Sequence, residues 1–387
     1  MRKLVLSGKR IVTGRGCLSF LGELPAGKTV IVTGGSSMIR TGVIGRAQEM
    51  MEKAGSEVLL VSGIQKNPSF DQLMELLPQV KAFAPERICA IGGGSALDAA
   101  KGLLLFYEFP FLNPENVAEE NAKGHIPTER KTELICVPST SGTGSELTRG
   151  TVLTDLKNKI KVPIMTDCLR PDLAILDGEL PMTMPEHVAA ETGMDALTHA
   201  MEAYINKNMD DFDEGLAVAA IRGIMKWLPQ SCLEVTEEAR EKVHNYQAMA
   251  GIAFANVGLG MVHGMAHSFG AAFNLAHGLT NAIILPYALR YNSQDPEVAE
   301  KLKELSYVCR TSDIILEIEK MREEIGIPAT YKEAGITEED YKEMRPLLLE
   351  HAMLGATKVN PVPVSEEDMS KMLDLVYYGG TVEDYFD

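Results

Sequence analysis

The sequence predicts an α/β domain with a mostly parallel sheet, followed by an all-α domain. Three observations predict it. Up to about Asp177, short runs of apolar, β-branched residues alternate with helix-length stretches. Beyond Asp177 those runs stop and helical patterning continues towards the C-terminus. Between Lys242 and Arg290 lie 47 residues without one charge, many of them small. The length agrees: 387 residues, 45% hydrophobic and 24% charged, suffice for two domains with large cores. The expected division is 1–180 and 181–387.

The expected strands are Thr29–Thr33, Val58–Ser62, Arg87–Ile91 and Leu134–Val137. Each is continuously apolar, as strands covered on both faces must be. Helical stretches such as Met38–Ala54 and Phe70–Ala84 separate them. The spacing over Thr151–Met165 predicts a β-hairpin turning at Leu156, Lys157 and Asn158. The segment LDGELPMTMPEH, with Pro181 and Pro185, reads as a linker ending at a helix start. Helices are expected over Val188–Ile205, Phe212–Leu228, Glu237–Phe254, Leu259–Ala272, Ala282–Tyr291 and Pro296–Cys309.

Charge and cysteine usage narrow the function. A formal net charge of −17 argues against nucleic acid and against an anionic membrane surface. It leaves room for an anionic cofactor, because backbone N–H groups bind phosphate without net charge. The six cysteines are dispersed, with no Cys-x-x-Cys pair, which fits a reducing cytoplasm. The N-terminal stretch has no signal-peptide apolar region. The uncharged stretch is interrupted by Asn, Gln and His, so a buried helical core is expected there and no membrane span.

Two loops and one cluster carry chemistry. Gly92-Gly93-Gly94-Ser95 follows a buried strand and precedes a helix expected over Asp98–Phe106, a place where a pyrophosphate meets free N–H groups. The Rossmann spacing Gly-x-Gly-x-x-Gly is absent, since position 97 is Leu. A second loop, Pro138 to Glu146, is small and rich in hydroxyls. In the second half, Asp195 and His199 are four residues apart, as are His263 and His267, and His277 follows. Such pairs share a helix face. On one straight helix His263 and His277 would stand about 21 Å apart, so the chain must reverse between them, with Gly270 and Asn274 as break points. One Asp with three His suits Fe²⁺ or Zn²⁺ and leaves room for a substrate oxygen.

Together the segments IGGGSALDAAKG, VPSTSGTGSE, AAETGMDALTHAMEAYI and NVGLGMVHGMAHSFGAAFNLAHGLTNAIILP make the chain resemble the iron-containing (group III) alcohol dehydrogenases, especially the propanediol- and butanol-dehydrogenase-like members. The resemblance implies a dinucleotide-binding N-terminal domain, a helical metal-binding domain and an active site in the cleft between them. It places metal ligands on Asp195, His199, His263 and His277, and a further active-site histidine, a proton relay, on His267. It places cofactor contacts on Gly92, Gly93, Gly94, Ser95, Asp98, Ser139, Thr143, Thr148, Lys161 and Asn67. The implied reaction is metal-assisted hydride transfer between NAD(P)(H) and a small alcohol, diol or aldehyde, in a cytoplasmic homodimer.

One departure sets the coenzyme. The strand VIVT is followed by Gly34, Gly35, Ser36 and Ser37, with no carboxylate to repel a 2′-phosphate, so NADP(H) is expected, with NAD(H) as the alternative. Two rivals follow from the same residues. One is a related enzyme acting on a phosphorylated or acidic substrate of the glycerol-phosphate or 4-hydroxybutyrate type. The other is a non-catalytic nucleotide- or metal-binding sensor.

Overall fold

The computed structural model describes residues 4–158 and 160–386. By packing, the chain falls into two compact units. One takes the chain up to Thr140 together with Gly144–Thr183; the other takes Ser141–Thr143 and the chain from Met184 onward.

Among its described residues the first unit holds eight strands: β1 (Arg10–Thr13), β2 (Lys28–Gly34), β3 (Glu57–Ile64), β4 (Arg87–Gly92), β5 (Glu133–Pro138), β6 (Gly150–Asp155), β7 (Ile160–Met165) and β8 (Leu173–Leu176). Six of them form one sheet in the order β1-β8-β5-β4-β2-β3, with every pairing parallel. The continuous apolar runs are explained by the two faces. Val30, Val32, Ile88, Ala90, Leu134 and Cys136 belong to one core layer, while the alternate residues Ile31, Cys89, Ile91, Ile135 and Val137 belong to the other. β6 and β7 pair antiparallel as the expected hairpin, and the Asp155 carboxylate accepts from the backbone and side-chain amides of Asn158 in the turn.

The sheet order marks the place where open parallel sheets take ligands. From β2 the chain goes to β3 on one side, then crosses to β4 on the other. The crevice at the carboxyl ends of β2 and β4 is therefore a topological switch point, the ligand site of open parallel sheets. Gly34–Ser36 and Gly92–Gly94 sit at those two ends.

The second unit is helical throughout its described elements. Its core is one cluster that includes Met194, Leu197, Met201, Ile224, Met265, Phe269, Ile283 and Leu285. Among the described residues no single helix is long and apolar enough to cross a membrane. The uncharged stretch runs through three helices, Glu237–Val257, Met261–Phe273 and His277–Asn292, the first two set at 105° to each other.

Some expected bounds need correction. The helix after the glycine turn starts at Gly94 and runs to Glu108, not from Asp98 to Phe106. The stretch Met38–Ala54 is two helices, Ser37–Arg40 and Val43–Lys53, divided at Gly42, whose φ of 76° is left-handed. The helix expected at Ala282 starts at His277 and ends at Asn292. Strands β1 and β8 were not among those expected.

Candidate metal centre and cofactor cradle

In the second unit, Glu186–Ile205 carries Asp195, His199 and Glu202 on one face, by the i, i+4, i+7 rule. Met261–Phe273 carries His263 and His267. It ends at Asn274, whose φ of 52° is left-handed and turns the chain back within two residues. Gly270 lies inside this helix, so Asn274 makes the reversal and Gly270 does not. The next helix starts with His277 and carries Asn281 one turn on. A glycine lets this helix come close: a Cβ at Gly278 would lie 2.1 Å from the Glu191 carbonyl oxygen.

These helices bring the four expected donors together. Asp195 Oδ1 lies 3.9 Å from His199 Nε2, 4.0 Å from His263 Nε2 and 3.7 Å from His277 Nε2. Asp195, His263 and His277 each offer one atom within a 4.8 Å group able to hold a metal ion. His199 stacks on the His263 ring at 4.7 Å and on Phe254 at 4.3 Å. Asp195, His199 and His263 are buried, and His277 is half-buried. Burial holds His263 well below the ordinary imidazole pKa and lowers His199 too. Both rings are therefore neutral near pH 7, the state a metal ligand needs. His267 is exposed, and its ring stacks on His277 at 5.1 Å.

The donor chemistry fits a divalent cation. Asn281 Nδ2 is 2.6 Å from Asp195 Oδ1 and 3.2 Å from both His263 Nε2 and His277 Nε2. An amide nitrogen has two hydrogens and cannot satisfy three acceptors. Its own oxygen is buried without a partner. A cation at such a point would match all three lone pairs.

Sequence reasoning missed Glu202, Asn281 and Phe254. A signal for the first two existed: Glu202 stands three residues after His199, and Asn281 four after His277, on the faces already singled out.

In the first unit the glycine turn is built for close approach. Gly92 has φ 154°, and a Cβ there would meet Ala96 Cβ at 2.9 Å. The helix Gly94–Glu108 starts without a side-chain cap, at an N-cap Gly93. Its first N–H groups and positive dipole end suit a pyrophosphate. Ser139 N–H donates to the Gly92 carbonyl at 2.9 Å, tying the second loop to the first. Lys161 Nζ donates to Asn67 Oδ1 at 3.0 Å, so two separately chosen positions meet. The Asp98 carboxylate accepts from Ser145 Oγ at 3.2 Å and from Val152 N–H at 3.4 Å. Burial raises its pKa to about 6, against the pull of Lys101 and of those donors. Gly35 and Ser36 are exposed. Thr143 lies in the three-residue piece grouped with the helical unit.

Lys101 was also missed. It is fully buried, and its ammonium donates to the carbonyls of Ser145 at 2.6 Å, Gly150 at 2.8 Å and Thr148 at 3.1 Å. It pins the loop that carries Thr148.

Known proteins agree with this architecture. Residues 8–178 match the family "Iron-containing alcohol dehydrogenase", and residues 189–377 match "Fe-containing alcohol dehydrogenase family, C-terminal". An NADPH-dependent butanol dehydrogenase of Clostridium saccharobutylicum is 38% identical over 96% of this chain and 97% of its own length. An alcohol dehydrogenase of Thermococcus barophilus is 35% identical over 95% of this chain and 98% of its own. The solved iron-containing alcohol dehydrogenase of Thermococcus thioreducens superposes with a TM-score of 0.91 at 34% identity, covering 98% of this chain and 100% of that one. The chain belongs to the iron-containing alcohol dehydrogenase family and is an oxidoreductase that moves a hydride between a nicotinamide cofactor and a small alcohol or aldehyde.

Proposed function

We propose that this enzyme reduces short aliphatic aldehydes and oxidises the matching primary alcohols or diols, with NADP(H) as the favoured coenzyme. Fe²⁺ or Zn²⁺ would be held by Asp195, His199, His263 and His277, and the enzyme works as a cytoplasmic homodimer. The observation that carries the metal assignment is the convergence of acceptor atoms from Asp195, His263 and His277 on one amide nitrogen. A divalent cation there supplies a Lewis acid for the substrate oxygen.

The chain's own residues do the rest. Burial keeps His199 and His263 neutral, so their lone pairs stay available. Phe254 covers one face of His199 and limits its rotation. His267, exposed and stacked on His277, gives or takes the proton at the substrate oxygen. Gly92–Ser95 and the uncapped N-terminus of Gly94–Glu108 receive the pyrophosphate.

The coenzyme preference rests on charge. From Thr33 to Gln48 the chain has no carboxylate and carries Arg40 and Arg46. A 2′-phosphate near the end of β2 meets no like charge. The NADPH dependence of the Clostridium saccharobutylicum relative supports the same choice. A phosphorylated substrate is disfavoured, since neither Glu186–Ile205 nor the 47-residue uncharged stretch supplies Lys or Arg.

The test is a steady-state assay of the zinc- or iron-loaded protein with butanal and related aldehydes, following nicotinamide absorbance. We expect kcat/KM with NADPH to exceed that with NADH by about tenfold or more, a gap of about 1.4 kcal/mol. An NADH preference of that size would overturn the coenzyme assignment. No turnover of any short aldehyde would overturn the substrate class.

A further inference from the structure

Glu202 is the residue that the metal-site reading leaves without a task. It is buried on the same helix face as Asp195 and His199. Its two oxygens are turned to different donors. Oε1 accepts from the Val262 backbone N–H at 2.7 Å. The Gly260 N–H also points to this carboxylate, and a Cβ at Gly260 would lie 2.9 Å from Oε1. That oxygen therefore closes the N-terminus of Met261–Phe273, where a negative group meets the positive end of the helix. Oε2 lies 2.5 Å from His263 Nδ1. On the far side of the same ring, Nε2 faces Asp195 Oδ1 at 4.0 Å and Asn281 Nδ2 at 3.2 Å.

We propose that Glu202 is the positioning residue of the metal centre: it fixes the tautomer and ring plane of His263 so that Nε2 presents a lone pair to the cation. The inference rests on the reading of Asp195, His199, His263 and His277 as metal ligands. It follows from proton placement. A ligating imidazole needs a lone pair at Nε2, so in that form its one proton sits on Nδ1. The Nδ1–H must then find an acceptor, and among the described residues Glu202 Oε2 stands 2.5 Å from Nδ1. Burial pushes the Glu202 carboxyl up to about 8, and a cation beyond Nε2 favours its ionised form. As a carboxylate it can only accept, so the 2.5 Å contact then admits one tautomer. The bond to Val262 N–H prevents Glu202 from turning away, because rotating the carboxylate would uncap the helix that carries His263. Orientation and capping are thus held by one rigid group. Partners of this kind behind a metal-bound His raise its basicity, and their loss costs about 10–100-fold in metal affinity.

Glu202→Gln separates this role from mere packing. The amide has the same shape. Its oxygen can keep the Val262 and Gly260 N–H groups, which leaves its NH₂ facing Nδ1. Nδ1 must then accept, and the His263 proton moves to Nε2, where it opposes the cation.

The experiment uses the full chain, stripped with a chelator. Zn²⁺ affinity is measured by competition with a chromophoric chelator, alongside ¹⁵N-histidine NMR in which the His263 signals are assigned by their loss in His263→Ala. We expect Glu202→Gln to keep the melting temperature of the stripped wild type, to bind Zn²⁺ about 10–100-fold more weakly, and to shift the His263 pattern from Nδ1–H to Nε2–H. Glu202→Asp keeps an acceptor-only group and should hold the Nδ1–H pattern; it is the second variant should the Gln form not fold. Wild-type Zn²⁺ affinity in Glu202→Gln would overturn the proposal, as would an unchanged His263 tautomer in Glu202→Gln or a switched one in Glu202→Asp. Failure of the underlying metal-site reading looks different: Zn²⁺ affinity in the wild type would then be no greater than in His263→Ala.

Discussion

At the scale of single residues, His267 and Asp98 make the sharpest claims. His267 is exposed, while His263, one turn earlier, is buried, so the two do different work from the same helix face. Replacing His267 by Ala would remove the proposed proton relay but none of the atoms that converge on Asn281. The expected outcome is a fall in kcat of about 10²–10⁴, with zinc or iron content unchanged by metal analysis. A variant that loses metal in proportion to activity would make His267 a ligand instead. Asp98 makes a claim about pH. Its pKa is raised to about 6 by burial, above the usual carboxylate value near 4. The folded state therefore holds the Asp98 proton more tightly than the unfolded chain does. Its contribution to stability is fully present below about pH 4 and is lost as pH rises through about 6. Asp98→Asn is neutral throughout and loses nothing over that range. Compared by urea unfolding, Asp98→Asn should gain on the wild type by up to about 3 kcal/mol between pH 4 and pH 7. A difference between the two proteins that does not change with pH would remove the argument.

At the scale of elements, the sequence announces some features and hides others for physical reasons. The strands β2, β3, β4 and β5 were legible because each is a continuous apolar run covered on both faces. β1 is four residues with exposed ends at the edge of the sheet and does not rise above its surroundings, whereas β8, LAIL and buried throughout, carries the same apolar signal and was overlooked. Glycine is the more instructive case. Gly270 reads as a break, yet it lies inside a helix, and Gly278, the second residue of the next one, admits the backbone of Glu191. Gly193 and Gly264 act alike: a Cβ there would lie 2.1 Å from Leu228 Cδ1 and 1.9 Å from Thr357 Oγ1. Sequence spacing cannot tell a glycine that breaks a helix from one that admits a neighbour, because the neighbour is distant in the chain. Asn274 is the residue that does reverse the chain, and its left-handed φ of 52° can be tested. A β-branched residue in that region costs about 1–2 kcal/mol, while Gly does not. Asn274→Val should lower the melting temperature and the zinc occupancy together, since the turn sets the spacing of His263 and His277. Asn274→Gly should retain both. If Val is tolerated in both assays, the turn is not what holds the two histidines at their spacing.

At the scale of the whole molecule, the non-local choices were the ones beyond sequence reasoning. The alternation of strands and helices implies a parallel sheet, but not that the chain goes from β2 to β3 and then crosses to β4 on the other side. That choice, which sets the switch point, is a matter of long-range pairing. The pairs Asp195/His199 and His263/His267 were legible by contrast, because i and i+4 spacing is local, while the choice of which side chains would hold an ion came from the family resemblance. The same geometry couples the metal to the stability of the helical unit. Asp195 and His199 come from one helix, His263 from a second and His277 from a third. An ion that binds all three helices at once binds the folded unit and not the unfolded chain. It therefore stabilises by mass action, about 4 kcal/mol when free metal is a thousandfold above its dissociation constant. For a unit of about 200 residues that corresponds to a rise of roughly 10 °C in melting temperature. Calorimetry of the chelated protein, with and without added Zn²⁺, should show that rise. Asp195→Asn keeps the shape of the side chain and removes the charge that the three imidazoles face, so its melting temperature should respond little to Zn²⁺. Should Zn²⁺ raise the melting temperature of Asp195→Asn as much as that of the wild type, the stabilising ion sits elsewhere and the cluster around Asn281 is a network of polar side chains alone.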